Sequence, residues 1–214
     1  VANAVDEPDS VYFSAPHDAE SADAWNTTKN AIGIRAGYGD MLSVNGFEVL
    51  GNDVIVSKVG KERKRLYRVN VSASDPSTWY AQNLSENNAA QNAHTMISAW
   101  NNVFFVDTNG FKSLAGTDTY GDLEVDSVGR KVNTLFIEGY TCDFITYLPS
   151  YNTIGFNTLD RVFCYTERYD PASGSRIPAI TDLSFLQGRI TSAYEANDTV
   201  YLTGYNGYLY RLSE

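Results

Sequence analysis

Four stretches of this 214-residue chain repeat one order of residues: a polar Asn/Asp turn, a short apolar strand, a Gly-containing loop, and a second strand of aromatic or aliphatic residues. The first runs from Asn52-Asp53 through Val54-Ile55-Val56 and Gly60 to Leu66-Tyr67-Arg68-Val69. The second runs from Asn101-Asn102 through Val103-Phe104-Phe105-Val106 and Asn109-Gly110 to Phe111-Lys112-Ser113-Leu114. The third takes Asp160, Arg161 to Tyr165, Gly174 and Ile177 to Ile180; the fourth takes Asn197-Asp198, Val200 to Leu202, Asn206-Gly207 and Tyr208 to Leu212. The spacing is uneven: 49 residues from Val54 to Val103, 59 from Val103 to Val162 and 38 from Val162 to Val200. A further strand precedes each unit, at Phe47 to Leu50, Thr95 to Trp100, Cys142 to Leu148 and Ile190 to Tyr194. Three or four short antiparallel strands in roughly 40–50 residues is the pattern of a β-propeller blade. A β-sandwich also offers short alternating strands, but it needs no recurrence in one sequence direction. The expected fold is therefore all-β, a five-bladed propeller over residues 1–214, with the sandwich as the alternative.

Residue usage agrees, because 15 Tyr, 10 Phe and 16 Gly form a vocabulary of strands and turns. The first forty residues lack the first half of a blade. Val11 to Ser14 and Ile32 to Arg35 read as strands, with Asp18 to Trp25 as a loop or single helical turn between them. A propeller closes its ring by pairing strands from opposite chain ends, which removes an open edge. These two strands are accordingly expected beside residues 189–212. Residues 1–10 are expected to form a flexible acidic arm, and Asp6, Glu7, Asp9, Asp18, Glu20 and Asp23 to be solvated.

A net charge of −10 opposes broad adhesion to nucleic acid, whose binding draws on counterions displaced from phosphate. No run approaches the roughly eighteen apolar residues of a membrane helix, so no membrane partner is expected. His17 and His94 stand in different units, and Gly-x-Ser-x-Gly, His-Glu-x-x-His and Gly-rich phosphate loops are all missing. No catalytic residue and no cofactor are assigned. An acid/base pair of the glycosidase kind needs only two suitably spaced carboxylates, for which Asp40, Asp107, Asp122 and Glu124 come first; solvated turn carboxylates are the expectation. Asp118 to Asp122 places two carboxylates around a Gly but lacks the ligand alternation of an EF-hand, so no metal is assigned. Asp40 and Asp122 both follow Tyr-Gly and are read as repeats of one turn. Cys142 and Cys164 are expected as buried thiols. Trp25, Trp79 and Trp100 are the candidates for sugar-stacking shelves, with core packing the commoner fate of such rings.

One basic cluster stands out on this acidic chain: Lys58, Lys61, Arg63, Lys64, Arg65 and Arg68. Gly60 marks it as a hairpin tip, which charge would keep soluble. Its functional alternative is a contact with an acidic neighbouring subunit or with passing DNA, and these six residues are the interface candidates.

Val11-Tyr12-Phe13-Ser14-Ala15-Pro16 with Asp18, then Gly37-Tyr38-Gly39-Asp40, then the strand around Val54, resembles the propeller segment of the tail accessory proteins of short-tailed phages, the head-to-tail stabilising or nozzle-type components. Asn101 to Phe111 is similar to one of their blades, and Val162-Phe163-Cys164-Tyr165 to a further one. The resemblance implies a structural virion protein without enzymatic activity, assembled in the host cytoplasm as a homo-oligomeric ring. Its partners would be portal and other tail proteins, with DNA passing only transiently through a conduit lined by negative charge. It also implies one domain of a longer chain. A carbohydrate-binding propeller for host adhesion is the second functional expectation.

Overall fold

The computed structural model describes residues 7–14, 32–116, 123–128, 133–134, 141–158, 161–172, 174–184 and 189–212. They form strands in five antiparallel sheets with almost no helix, so the all-β expectation holds. The chain divides into two compact units, Val1–Ala89 and Ala90–Glu214.

In the first unit β1 (Ser10–Phe13) pairs with β2 (Ile32–Arg35), placing Val11 opposite Ile34. A meander follows: β3 (Ser43–Leu50), β4 (Asp53–Val59), β5 (Lys64–Asn70) and β6 (Tyr80–Ser85). Six of the seven residues of β4 are buried, which suits a short unbroken run of β-branched side chains. Val54, Val56, Tyr67 and Val69 pack with Val11, Ile34, Ala36 and Val44 in one core, and the edge of Phe13 meets Trp79 with ring centroids 5.2 Å apart. Each such aliphatic side chain stabilises by about 1.5–3 kcal/mol on burial.

The first strands pair with each other, and the hairpin finds its apolar partner in the sheet that immediately follows it. One expectation is corrected here. Residues 7–10 of the supposed arm are held in place: the Asp9 carbonyl accepts from the Ala36 N–H at 2.9 Å, the Pro8 carbonyl from the Val44 N–H at 2.8 Å, and Tyr12 donates to Glu7.

The second unit holds two four-stranded meanders and one three-stranded sheet. They are β7 (Met96–Ala99) to β8 (Asn102–Asp107), β9 (Gly110–Gly116) and β10 (Leu123–Ser127); β11 (Ile145–Leu148) to β12 (Thr153–Thr158), β13 (Arg161–Asp170) and β14 (Ser175–Ser184); and β15 (Ile190–Ala196) to β16 (Thr199–Gly204) and β17 (Leu209–Arg211). Trp100 and Asn101 take φ of 52° and 56°, one residue earlier than the Asn101-Asn102 turn read from sequence, and Asn197 and Asp198, at the expected turn, take 50° and 57°; both pairs have the doubly left-handed geometry of a tight hairpin. Asn152, at φ 47°, closes the turn between β11 and β12. Phe104, Phe111, Phe156, Phe163 and Tyr165 share one core, with Phe111 and Phe156 stacked 4.6 Å apart.

The third repeat begins one strand earlier than the sequence pattern predicts. Arg161 to Tyr165 belongs to the third strand of its sheet, and the counterpart of β4, β8 and β16 is β12, Thr-Ile-Gly-Phe-Asn-Thr, which is buried throughout. With Ile154 as the reference, the intervals become 49 residues from Val54 to Val103, 51 from Val103 to Ile154 and 46 from Ile154 to Val200. The irregular spacing belonged to the misplaced phase, and the repeat itself is nearly even.

Candidate functional site

The six cations of the basic cluster separate by burial. Lys61 and Arg63 are exposed at the tip between β4 and β5, where the Gly60 N–H donates to the Arg63 carbonyl at 2.9 Å. Lys64, Arg65 and Arg68 are half-buried on β5. Arg65 lies 3.4 Å from the Glu86 carboxylate, and Arg68 lies 2.7 Å from that of Asp53, which also accepts from Asn70 at 2.8 Å.

Lys58 is corrected: it is 0% exposed and so is no part of a surface. Its ammonium reaches across to the loop that precedes β3, donating to the Ala36 carbonyl, to Asp40 Oδ1 at 2.8 Å and, more weakly, to the Gly37 carbonyl at 3.4 Å. It also lies 5.4 Å from the centre of the Tyr67 ring. Tyr67 Oη donates to Asp40 Oδ2 at 2.9 Å, Arg65 Nη1 donates to Tyr67 Oη at 3.3 Å, and the Leu42 N–H donates to Asp40 Oδ1 at 3.0 Å. Burial pushes the Asp40 carboxyl up, but Lys58, Leu42 and Tyr67 together outweigh it and hold the group below its ordinary value. Burial and the hydrogen bond to Asp40 raise the Tyr67 hydroxyl despite Arg65. A buried charge is tolerated only when paired in this way. The consequence is a fixed loop: Gly37, Gly39 and Met41 all take left-handed φ, of 77°, 74° and 59°, and Met41 stands 96% exposed.

Comparable polar anchors occur in the second unit. Asp107 ends β8 fully buried, accepting from the Asn109 N–H and lying 3.0 Å from Lys112 Nζ. Gln91 donates to the Asp107 carbonyl at 3.1 Å and accepts from the Cys142 N–H at 2.8 Å, tying the sheet of β8 to the strand entering β11. Asn157, also fully buried, accepts from the N–H groups of Asp143 at 2.8 Å and Phe144 at 3.1 Å, and donates to the Ile190 carbonyl at 2.7 Å and Asp143 Oδ2 at 2.9 Å. Arg189 forks onto Asp143, with Nε 2.7 Å from Oδ2. Burial raises the Asp143 carboxyl, and Arg189 with Asn157 more than reverses this. In this unit the half-buried Gln91 and the buried Asn157 thus fasten each sheet to the next. Gln91, Asp143, Asn157 and Arg189 were not singled out from sequence; a polar residue closing an apolar strand run, as Asp107 does, was the available signal.

The remaining candidates fall as follows. Asp40 and Asp107 each sit against their own lysine, and Asp40 is held ionised, the opposite of what a general acid needs. Asp122, the loop Asp118 to Asp122, His17 and Trp25 lie outside the described residues, as does the side chain of Glu124. Among the described residues no three His, Cys, Asp or Glu side chains gather as a metal site. Cys142 and Cys164 are free thiols, pushed by burial up to about 12 and about 11. Trp79 donates its indole N–H to the Ala73 carbonyl at 2.7 Å, and Trp100 donates to Asn152 Oδ1 at 2.6 Å while packing edge-on to Phe104 and Tyr147. Both rings serve packing.

The chain is thus an all-β protein of repeated antiparallel meanders, in which buried polar side chains such as Lys58 and Asn157 join strands and loops. A crystal structure of a protein from Lactobacillus plantarum, determined by the Northeast Structural Genomics Consortium, resembles it with a TM-score of 0.52 at 11% identity, covering 95% of this chain and 66% of that one. This chain therefore spans just under two thirds of that protein's length, and the likeness is one of fold. No protein-family model and no curated protein sequence matches the chain.

Proposed function

We propose that this chain is a β-propeller building part of a phage tail, a structural virion component that stabilises the portal/tail junction and DNA conduit through protein-protein interfaces. The observation that carries the propeller is the recurrence of meander sheets at near-even intervals of 49, 51 and 46 residues. In the second unit the first strands β7, β11 and β15 lie against one another in chain order, the relation expected of blades sharing a hub. The tail assignment rests on the likeness of Val11 to Ser14, Gly37 to Asp40 and Asn101 to Phe111 to tail accessory proteins. The mode of action is mechanical. A rigid array of sheets presents loops to neighbouring subunits, and a net charge of −10 keeps moving DNA from adhering. Mass spectrometry and immunogold labelling of purified phage particles test this: the chain is expected in the tail in several copies, and particles lacking it would overturn the reading.

A carbohydrate-binding propeller is favoured by one feature, the exposed Tyr194, Tyr205 and Tyr208 of the last sheet. A glycan array on which binding depends on these rings would move the assignment to adhesion.

A further inference from the structure

We propose that the face of the last sheet turned away from its core binds an acidic oligosaccharide, with Tyr194 and Tyr201 as stacking rings and Arg211 as the cation that takes the carboxylate. The inference rests on the carbohydrate-binding reading and deepens it by naming the face and the ligand.

The register sorts the side chains of this sheet. Residues directly opposite one another share a face, and so do positions two apart on one strand. Ala193, Leu202 and Tyr210 form one row across β15, β16 and β17, and they share a core with Leu148 and Val162 of the preceding sheet. The opposite face carries two rows, Ser192–Thr203–Leu209 and Tyr194–Tyr201–Arg211. Strands about 4.8 Å apart, rising about 3.4 Å per residue, make each row about 10 Å long and set the two about 7 Å apart, the footprint of a short oligosaccharide. Tyr194 is 66% and Leu209 64% exposed, Ser192 and Arg211 are exposed, and Tyr201 and Thr203 are half-buried.

The chemistry of this face sets it apart from those that receive another sheet. Sheets of this unit meet through apolar side chains, Phe111 on Phe156 at one junction and Leu148 and Val162 with Val200 and Leu202 at the next. Here the side chains are instead two phenols, two aliphatic hydroxyls and a guanidinium beside one leucine, and tyrosine rings pair an apolar body with a polar tip. Charge selects among sugars. None of the positions in the two rows is a carboxylate, and Arg211 has no ion pair among the described residues. Glu195 and Asp198 of the β15–β16 hairpin are both engaged by Ser150, 2.6 Å and 2.9 Å from its Oγ. A guanidinium left uncompensated beside two rings fits a sugar carboxylate, which it can hold through two parallel N–H bonds. The Ser192 and Thr203 hydroxyls bond each other and retain acceptor lone pairs for sugar O–H groups. All three strands are fixed by their ladders, so little ordering remains for a ligand to impose. A nucleic acid is disfavoured, since one cation stands here against an overall charge of −10.

Isothermal titration of the intact chain tests this with oligogalacturonate and sialyllactose, set against methyl-esterified oligogalacturonate and lactose as their uncharged counterparts. At least one acidic probe is expected to bind, and its uncharged counterpart at least about tenfold more weakly. Arg211→Gln is expected to erase that preference, and Tyr194→Ala to weaken the acidic probe at least about tenfold. Both variants should keep the wild-type thermal midpoint, because both side chains are exposed. A wild type that binds neither acidic probe, or binds the uncharged counterpart equally well, overturns the proposal, as do variants that bind like the wild type. So does oligothymidylate binding, or self-association in sedimentation velocity, that Tyr194→Ala abolishes, since either assigns the face to another occupant. Lactose binding that Tyr205→Ser/Tyr208→Ser abolishes and Arg211→Gln spares would overturn this face alone, whereas a blank glycan array removes the carbohydrate reading as well.

Discussion

Replacing Lys58 by Met removes the ammonium and keeps most of the apolar stem, so it isolates the buried charge of the first unit. In the wild type that ammonium is shared by the Ala36 and Gly37 carbonyls and Asp40, on a side chain with no solvent exposure, and the Asp40 side chain is 7% exposed. Breaking such a pair from one side costs about 3–5 kcal/mol, because the surviving charge stays buried. For a chain of this length each kcal/mol lowers the thermal midpoint by about 2–4 °C, so a fall of about 10 °C is expected. Urea unfolding followed through Trp79, which packs on Phe13 in the same unit, should show the loss in the midpoint with the slope unchanged. Lys58→Met/Asp40→Leu leaves no buried charge and is expected to recover at least about 1 kcal/mol of that loss. The pH dependence has a definite sign. Asp40 titrates lower when folded than when unfolded, so its contribution is complete above the ordinary carboxylate value near 4 and disappears as the pH falls through the folded value. Lys58→Met should flatten the stability profile in that acid window. A loss below about 1 kcal/mol, or a double variant no better than the single one, would refute the assignment of this pair as the strut under the loop.

Three further outcomes follow from particular contacts. Gly37→Ala should destabilise by about 2 kcal/mol or more in the same urea assay, since φ is +77° and the new methyl would lie 2.1 Å from Tyr67 Oη. Asn157→Ala strands the N–H groups of Asp143 and Phe144 and the carbonyl of Ile190, and calorimetry should register a loss of about 3 kcal/mol or more at about 1–3 kcal/mol per orphaned group. Cys142 and Cys164, raised to about 12 and about 11, should react with a disulfide reagent at mildly alkaline pH only after unfolding; rapid labelling of the native protein would contradict their burial.

What could be read from the sequence divides along local and non-local physics. The strands β4, β8 and β16 were legible because a short β-branched or aromatic run directly follows a polar turn, left-handed at Gly51 before β4, at Trp100 and Asn101 before β8, and at Asn197 and Asp198 before β16. Strand β12 was not, since Gly155 and Asn157 dilute its apolar character, although Asn157 is buried because four polar partners surround it. The partner of the first hairpin was also hidden: which sheet covers Val11 and Ile34 is decided by packing, not by their own segment. Within the basic cluster, Lys61 and Arg63 stand exposed as a charged tip should. Lys58 escaped because a lysine is normally solvated, and its carboxylate partner lies 18 residues upstream, in a loop recognisable only as a Gly-rich turn.

A density map of the assembled phage tail tests the central claim most directly. The account predicts several copies around the tail axis, each with β7, β11 and β15 innermost about a common hub. Two sheets packed face to face in each copy, or a tail without this chain, would contradict it.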